Sequence, residues 1–277
     1  MAVFLGVVVA AFFGSGDFCG GLASKRLATL GVLSLAQGCA LVGAVVFAIS
    51  FSGDPSGRDL TFGAIAGGLN LVGLGLLYHG LATGRMGVVA PVTAVVAAVL
   101  PVAYGTASGE RPSAVALVGV GCAIVAGGLI AAERSEATAS DVKRDVLLAV
   151  VIGTFFGASF ILYAETGKDS GFWPVLTARG IALPLVLLAV LVARPALHAG
   201  RREVRLGVAA GILDVSATAL LLVAVREGLS SLTAPLAALA PAFTVALAWI
   251  VLKEPIARLQ LAGLGLALVG LTLIAAG

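Results

Sequence analysis

The chain has 277 residues, of which 60% are hydrophobic and only 11% are charged, and its mean hydropathy is +1.13. Soluble domains carry about 25% charged residues, so this composition excludes a water-soluble globule, a disordered chain and an ordinary nucleic-acid-binding protein. The 17 Lys and Arg residues exceed the 14 Asp and Glu residues by a net charge of +3, which is too small and too scattered to indicate a polyanionic partner. The composition is typical of a protein that lies in a lipid bilayer.

Polar residues divide the chain into ten apolar segments, each long enough to span a hydrocarbon core of about 30 Å as a helix. The segments lack the alternation of barrel strands, so helices must satisfy their backbone groups in lipid. The first segment is not preceded by positive charge, which favours a retained helix over a cleaved signal peptide. In chain order the segments are 2–22, 32–52, 61–83, 87–107, 113–132, 146–166, 172–193, 205–225, 230–251 and 258–276.

The two halves of the chain repeat. A shift of 144 residues aligns the stretch from Gly63 to Ala132 with the second half without a gap. The aligned pairs include Gly63 with Gly207, Gly67 with Gly211, Pro91 with Pro235, and Glu110 with Glu254. We therefore predict a first unit at 1–132, a charged linker at 133–145 and a second unit at 146–277. Because each unit has an odd number of helices, the second inserts upside down, and such inverted repeats are typical of transporters.

Short runs in both halves also resemble a known family. They are Phe13–Lys25, Leu81–Pro91 with Gly109–Pro112, Ser170–Pro174, Leu213–Val215 and Lys253–Pro255. Together they resemble EamA-type members of the drug/metabolite transporter superfamily, and the resemblance covers essentially the whole chain. It implies an all-α integral membrane protein with ten transmembrane helices in two five-helix units. It also implies export of amino acids, metabolites or drugs, without indicating which.

The orientation in the membrane has two interpretations. The odd-numbered connections between segments hold 12 Lys and Arg residues and the even-numbered ones hold 4. The excess predicts odd connections in the cytoplasm and both termini outside. The family resemblance implies the opposite, with both termini in the cytoplasm. Both interpretations place the two termini on the same side.

Ionisable residues inside spanning segments are costly and are candidates for function. Asp214 lies near the middle of segment eight, and Asn70 is its repeat partner in segment three. Arg179 in segment seven either neutralises Asp214 or holds a substrate carboxylate. Asp17, late in segment one, reaches either water or the mouth of a pocket, and a coupling proton could bind at Asp214. Further candidates for the lining of the pocket are Gln37, Tyr78 and Tyr104.

Three prolines fall well inside predicted helices. Pro101 and Pro241 lie in the repeat-related segments four and nine, and Pro184 lies in segment seven. Proline removes a backbone donor and bends a helix, so these positions are candidate kinks for gating.

No pattern of enzymatic chemistry is present. The sequence has no Walker A, GxSxG or HExxH motif, and its three cysteines have no metal-ligand spacing. We therefore expect no catalytic residues, no metal ion, no cofactor and no ATP hydrolysis.

The main hypothesis is a secondary transporter, an exporter of a small metabolite such as an amino acid or drug-like compound. It would act as a monomer in a bacterial plasma membrane, by alternating access around a midplane cavity between the units. The alternative is a non-transporting membrane protein, such as an intramembrane lipid-acting enzyme or a scramblase.

Overall fold

Helices make up every regular element of the part of the chain that the structure describes. The computed structural model describes residues 2–83, 86–109, 113–132, 139–197, 199–224, 240–253 and 258–276. In chain order the helices are α1 (Ala2–Ser24), α2 (Thr29–Ser50), α3 (Gly57–Thr83), α4 (Met86–Ala107), α5 (Ala114–Ala132), α6 (Ala139–Ala164), α7 (Trp173–Ala193), α8 (Arg201–Ala224), α9 (Ala240–Leu247) and α10 (Arg258–Ala276). A 3-10 turn at Lys168–Ser170 precedes α7, and α9 continues into a π-helical turn at Ala248–Leu252.

Some helices begin earlier than the apolar segments predict. Helix α6 begins at Ala139, inside the predicted linker, and α8 begins at Arg201. Asp141 and Glu203 lie in the first turns of these two helices, where negative charge favours the helix N-terminus. A hydropathy boundary misses such polar first turns. Residues 133–138 of the linker and 225–239, at the start of the predicted ninth segment, lie outside the described residues.

The helices have the lengths and composition of a multi-pass membrane protein. Five are long and apolar enough to cross a membrane: Thr29–Ser50, Gly57–Thr83, Val88–Ala107, Asp141–Ala164 and Trp173–Ala193. Shorter apolar helices follow the same pattern: Val8–Ser24, Leu117–Ala126, Phe243–Leu252 and Leu261–Gly270. The full set of ten spans stays a prediction.

Helix α2 shows which surface faces inward. Its buried face carries alanine at every fourth position: Ala36, Ala40, Ala44 and Ala48. Its outer face carries large aliphatic side chains that are 66%, 55% and 81% exposed: Val42, Val46 and Ile49. Small residues inside allow helices to approach closely, and large apolar residues outside suit contact with lipid.

The main contacts between the first five helices and the last five stay the same when the two halves of the chain are exchanged. Helix α1 packs on α8 and α9, α2 packs on α7 and α8, α3 packs on α6 and α7, α4 packs on α6, and α5 packs on α10. Replacing each helix by the one five places away turns the α1–α8 contact into α6–α3, the α2–α8 contact into α7–α3, and the α1–α9 contact into α6–α4. The α2–α7 and α5–α10 contacts map onto themselves.

Two glycines mark equivalent crossings in this arrangement. Gly67 of α3 lies directly on the backbone of Ala178 in α7, and Gly211 of α8 lies on the backbone of Ala36 in α2. A Cβ atom at either glycine would overlap the backbone opposite it. Gly67 and Gly211 are the pair that the repeat aligns, so the two crossings are related by the same exchange.

Two of the three prolines predicted as kinks lie inside continuous helices. Pro101 lies inside α4 and Pro184 inside α7, and both helices continue beyond them. Pro241 lies in α9 close to residues 225–239, which are outside the described residues, and the π-helical turn at Ala248–Leu252 follows it. Such turns are single departures from regular α-helix that often occur at functional positions. A role of the prolines in gating stays a prediction.

Candidate functional site

A buried ion pair lies where α2, α7 and α8 meet. Nη2 of Arg179 donates a hydrogen bond to Oδ2 of Asp214 at 2.5 Å, and Nη1 donates to Oε1 of Gln37 at 3.2 Å. The side chains of Arg179 and Asp214 are 9% and 23% exposed, and Gln37 is 1% exposed. Of the two roles expected for Arg179, the structure therefore shows the pairing with Asp214.

The glycine crossings explain why these side chains meet. Arg179 directly follows Ala178, on which Gly67 lies, and Gln37 directly follows Ala36, on which Gly211 lies. The crossing at Gly67 therefore positions the backbone next to Arg179, and the crossing at Gly211 positions the backbone next to Gln37. The polar contact is thus held by close backbone packing on both sides.

One donor in this cluster is left over. Nε of Arg179 is buried and has no hydrogen-bond partner among the described residues. A buried N–H without a partner is costly, and a water molecule or a ligand is the usual explanation. The unused donor indicates where an acceptor atom would bind.

Three more ionisable side chains lie within electrostatic range of this pair. Asp17 of α1 lies close enough to Asp214 for their charges to interact. Tyr78 of α3 lies within electrostatic range of Asp17, Asp214 and Arg179, and Tyr163 of α6 lies within range of Arg179 and Asp214. The site therefore draws on α1, α2 and α3 of the first half and on α6, α7 and α8, their counterparts in the second half.

The charges of the site do not balance. Asp17 and Asp214 supply two carboxylates and Arg179 supplies one guanidinium, a net charge of −1 when all three are ionised. Arg179 already bonds Asp214, whereas no hydrogen bond to Asp17 is found among the described residues. Within those residues no group of three or more His, Cys, Asp or Glu could hold a metal ion.

The structure brings together five of the seven residues predicted to line the site: Asp17, Gln37, Tyr78, Arg179 and Asp214. Asn70 is half-buried on α3, with no described hydrogen bond to the pair. Tyr104 is 46% exposed on α4 and is not brought to the pair. Tyr163 was not among the predicted lining residues. The chain has 3 tyrosines, and the other two were predicted, so residue type was the signal that could have included it.

Comparisons with known proteins bear on the family and the fold of the chain. Residues 143–276 match the model of the EamA-like transporter family, which confirms the resemblance noted in the sequence for that part of the chain. The chain is 28% identical over 131 residues to an uncharacterised protein of Methanocaldococcus jannaschii, a match that covers 47% of this chain and 94% of the relative. It also superposes on a crystal structure of a protein with a TM-score of 0.63, at 14% identity and over 97% of each chain, which shows a shared fold alone.

Proposed function

We propose, from the membership of residues 143–276 in the EamA-like transporter family, that this protein is a secondary transporter that exports a small metabolite across a bacterial plasma membrane. The observation that carries the proposal is the Arg179–Asp214 pair, buried where helices of both halves meet. Charged side chains at such depth typically mark the pathway of a substrate or ion.

Alternating access is the mechanism that this architecture suits. The helix contacts that survive exchange of the halves and the paired crossings at Gly67 and Gly211 support a pair of inverted repeats. The matched relative is about half as long as this chain, and the match covers 94% of the relative's length. Its length is therefore close to that of one five-helix unit. Two equivalent halves can exchange their arrangements around a central site, which then opens to each side in turn.

The free polar groups suggest the kind of substrate. Because Arg179 and Asp214 bond each other, the groups that remain available are the carboxylate of Asp17 and the Nε donor of Arg179. A zwitterion such as an amino acid would place its ammonium group at Asp17 and its carboxylate at Nε. Protonation of a carboxyl group in the same cluster would couple transport to a pH gradient.

Flux into liposomes tests the proposal. Purified protein is reconstituted and given labelled amino acids, nucleosides and cationic drugs, with and without a pH gradient. We expect saturable flux of an amino acid, and a loss of at least about tenfold in Asp17→Asn and in Arg179→Ala because each removes a charge-assisted contact. Asp54→Asn, which removes an exposed carboxylate outside the site, is the matched control and should leave flux unchanged.

Three other outcomes are informative. Flux that both site substitutions leave intact would retain a transporter and discard this site. Flux of cationic drugs alone would retain Asp17 and discard the zwitterion. Absence of flux for every compound, together with lipid movement between leaflets, would favour the scramblase alternative.

A further inference from the structure

At one end of the bundle the two halves are bound to each other. Oδ1 of Asp59, in the first turn of α3, accepts a hydrogen bond from the backbone N–H of Gly167 at 2.7 Å. The backbone N–H of Asp54 donates to the carbonyl oxygen of Asp169 at 3.0 Å. The connection between α2 and α3 is thereby tied to the connection between α6 and α7. We refer to the Asp59–Gly167 contact as the closed latch.

The carboxylate of Asp59 serves both connections. Its Oδ2 accepts hydrogen bonds from the backbone N–H and the hydroxyl of Ser56, at 2.8 and 2.7 Å, so it orders its own connection while it holds the opposite one. Behind it, Phe172 lies against Phe47 and Phe51 with ring centroids 5.3 and 6.5 Å away, and is fully buried. The closed latch therefore covers an apolar plug between the halves.

At the other end of the bundle, the positions that the repeat relates to Ser56 and Asp59 again include a carboxylate. A shift of 144 residues takes Ser56 to Gly200 and Asp59 to Glu203. Glu203 lies in the first turn of α8, is 8% exposed, and its carboxylate folds back over Gly200. This copies the way in which the carboxylate of Asp59 folds back over Ser56.

The residue that corresponds to Gly167 at this end has a hydroxyl group without a described hydrogen-bond partner. A shift of 143 residues aligns Phe12–Gly14 of α1 with Phe155–Gly157 of α6, and the same shift takes Gly167 to Ser24 at the end of α1. The hydroxyl of Ser24 is buried without a hydrogen-bond partner among the described residues. Leu197 packs against Gly31 at this end, which brings the connection between α7 and α8 to the start of α2. A carboxylate and an unsatisfied donor are thus present, but no described hydrogen bond joins them.

We infer that Asp59 and Glu203 are alternating latches of one transport cycle. In this structure Asp59 holds its end closed, while Glu203 is free of Ser24. In the opposite state the contacts exchange: Glu203 accepts a hydrogen bond from the end of α1, and Asp59 releases Gly167. This inference rests on the proposed transport function, because exchange of the two latches is what opens the central site to one side and then to the other.

Thiol labelling tests the exchange without a substrate. In a background with Cys19, Cys39 and Cys122 replaced by alanine, Ser170→Cys reports on the Asp59 end, where Ser170 is 3% exposed. Leu197→Cys reports on the other end, where Leu197 is 49% exposed and packs against Gly31, and it leaves the hydroxyl of Ser24 in place. A water-soluble maleimide labels each cysteine at a rate set by how often its end opens. Asp59→Ala should raise labelling at position 170 about tenfold, because a charge-assisted hydrogen bond is lost, and should lower labelling at position 197. Glu203→Ala should shift both rates in the opposite direction.

The control is Asp54→Ala, which removes an exposed carboxylate from the same connection but leaves the backbone N–H that bonds Asp169. It should leave both rates unchanged. Asp59→Asn retains an acceptor oxygen and should fall between Asp59→Ala and the unsubstituted protein, with an unchanged elution volume as evidence of folding. Equal labelling of the Asp59→Ala and Asp54→Ala variants, or a change at position 170 with none at position 197, would overturn the inference. A protein that labels as expected but moves no solute would instead count against the transport proposal.

Discussion

Among the described residues, Arg179–Asp214 and Arg58–Glu165 are ion pairs between distant parts of the chain, and their surroundings differ far more than their geometry. Arg179 and Asp214 meet at 2.5 Å with side chains 9% and 23% exposed. Arg58 and Glu165 meet at 2.8 Å with side chains 61% and 41% exposed. The first pair lies inside the bundle and the second at its end, where Arg58 also stacks over Phe62 at 4.8 Å.

The difference shows that the distance between two charged groups does not by itself determine how much the pair contributes to stability. Water screens the exposed pair, so its net contribution to stability is small. The Arg179–Asp214 pair is largely withdrawn from water, although Asp214 keeps 23% of its side chain exposed, and each charge therefore depends mainly on the other. Removing one partner there leaves an uncompensated charge, whereas removing one partner at the end of the bundle exposes a group that water already reaches.

Breaking the buried pair should have the largest effect. Arg179→Ala or Asp214→Ala should each lower the free energy of unfolding by about 3–5 kcal/mol, because the remaining charge is stranded. The double variant Arg179→Ala/Asp214→Ala should lose less than the sum of the two. Unfolding in mixed detergent micelles, followed by circular dichroism, measures the three differences. Additive losses would show that the two side chains act independently.

A glycine next to the pair should give an intermediate effect without any change of charge. Gly67→Ala places a Cβ against the backbone of Ala178, beside Arg179, and should cost about 1–3 kcal/mol of stability because the helices must separate. The neighbouring Gly68 has nothing within 4 Å. Gly68→Ala should therefore be neutral or stabilising by up to about 1 kcal/mol, since alanine favours a helix. Thermal unfolding of both variants in one detergent makes the comparison, and equal midpoints would refute the crossing.

The exposed pair should give the smallest effect. Arg58→Ala and Glu165→Ala should each change stability by less than about 1 kcal/mol, and the difference should shrink further in high salt because the charges are screened. Unfolding at low and high ionic strength checks both statements. A loss at Arg58 as large as that at Arg179 would contradict the distinction between the two pairs.

Sequence alone predicted most of the helices, because a bilayer demands long apolar segments and charges interrupt them. It also singled out Asp214, Arg179 and Gln37, because polar groups are rare and costly inside such segments. It left open whether Arg179 binds Asp214 or a substrate, since that depends on how α7 and α8 cross.

Other features had no signal in the sequence. The Asp59 latch depends on a backbone N–H of Gly167, and every non-proline residue has such a donor. The first turns of α6 and α8 are polar, so hydropathy placed them outside the helices. Asn70 was predicted by its repeat relation to Asp214, but the repeat fixes its depth and not which neighbours its side chain meets.

The way in which the halves interlock has a consequence for how the chain folds. Helix α1 packs on α8 and α9, and α2 packs on α7 and α8, so their small-residue faces lack these partners until late in synthesis. Contacts so distant along the chain form slowly, and unpaired faces are prone to wrong association in the meantime. A fragment that ends at Ala132 would contain five complete helices and would retain their contacts with one another, but it would lack the larger part of their native packing. Assembly of this bundle therefore depends on its last helices as much as on its first.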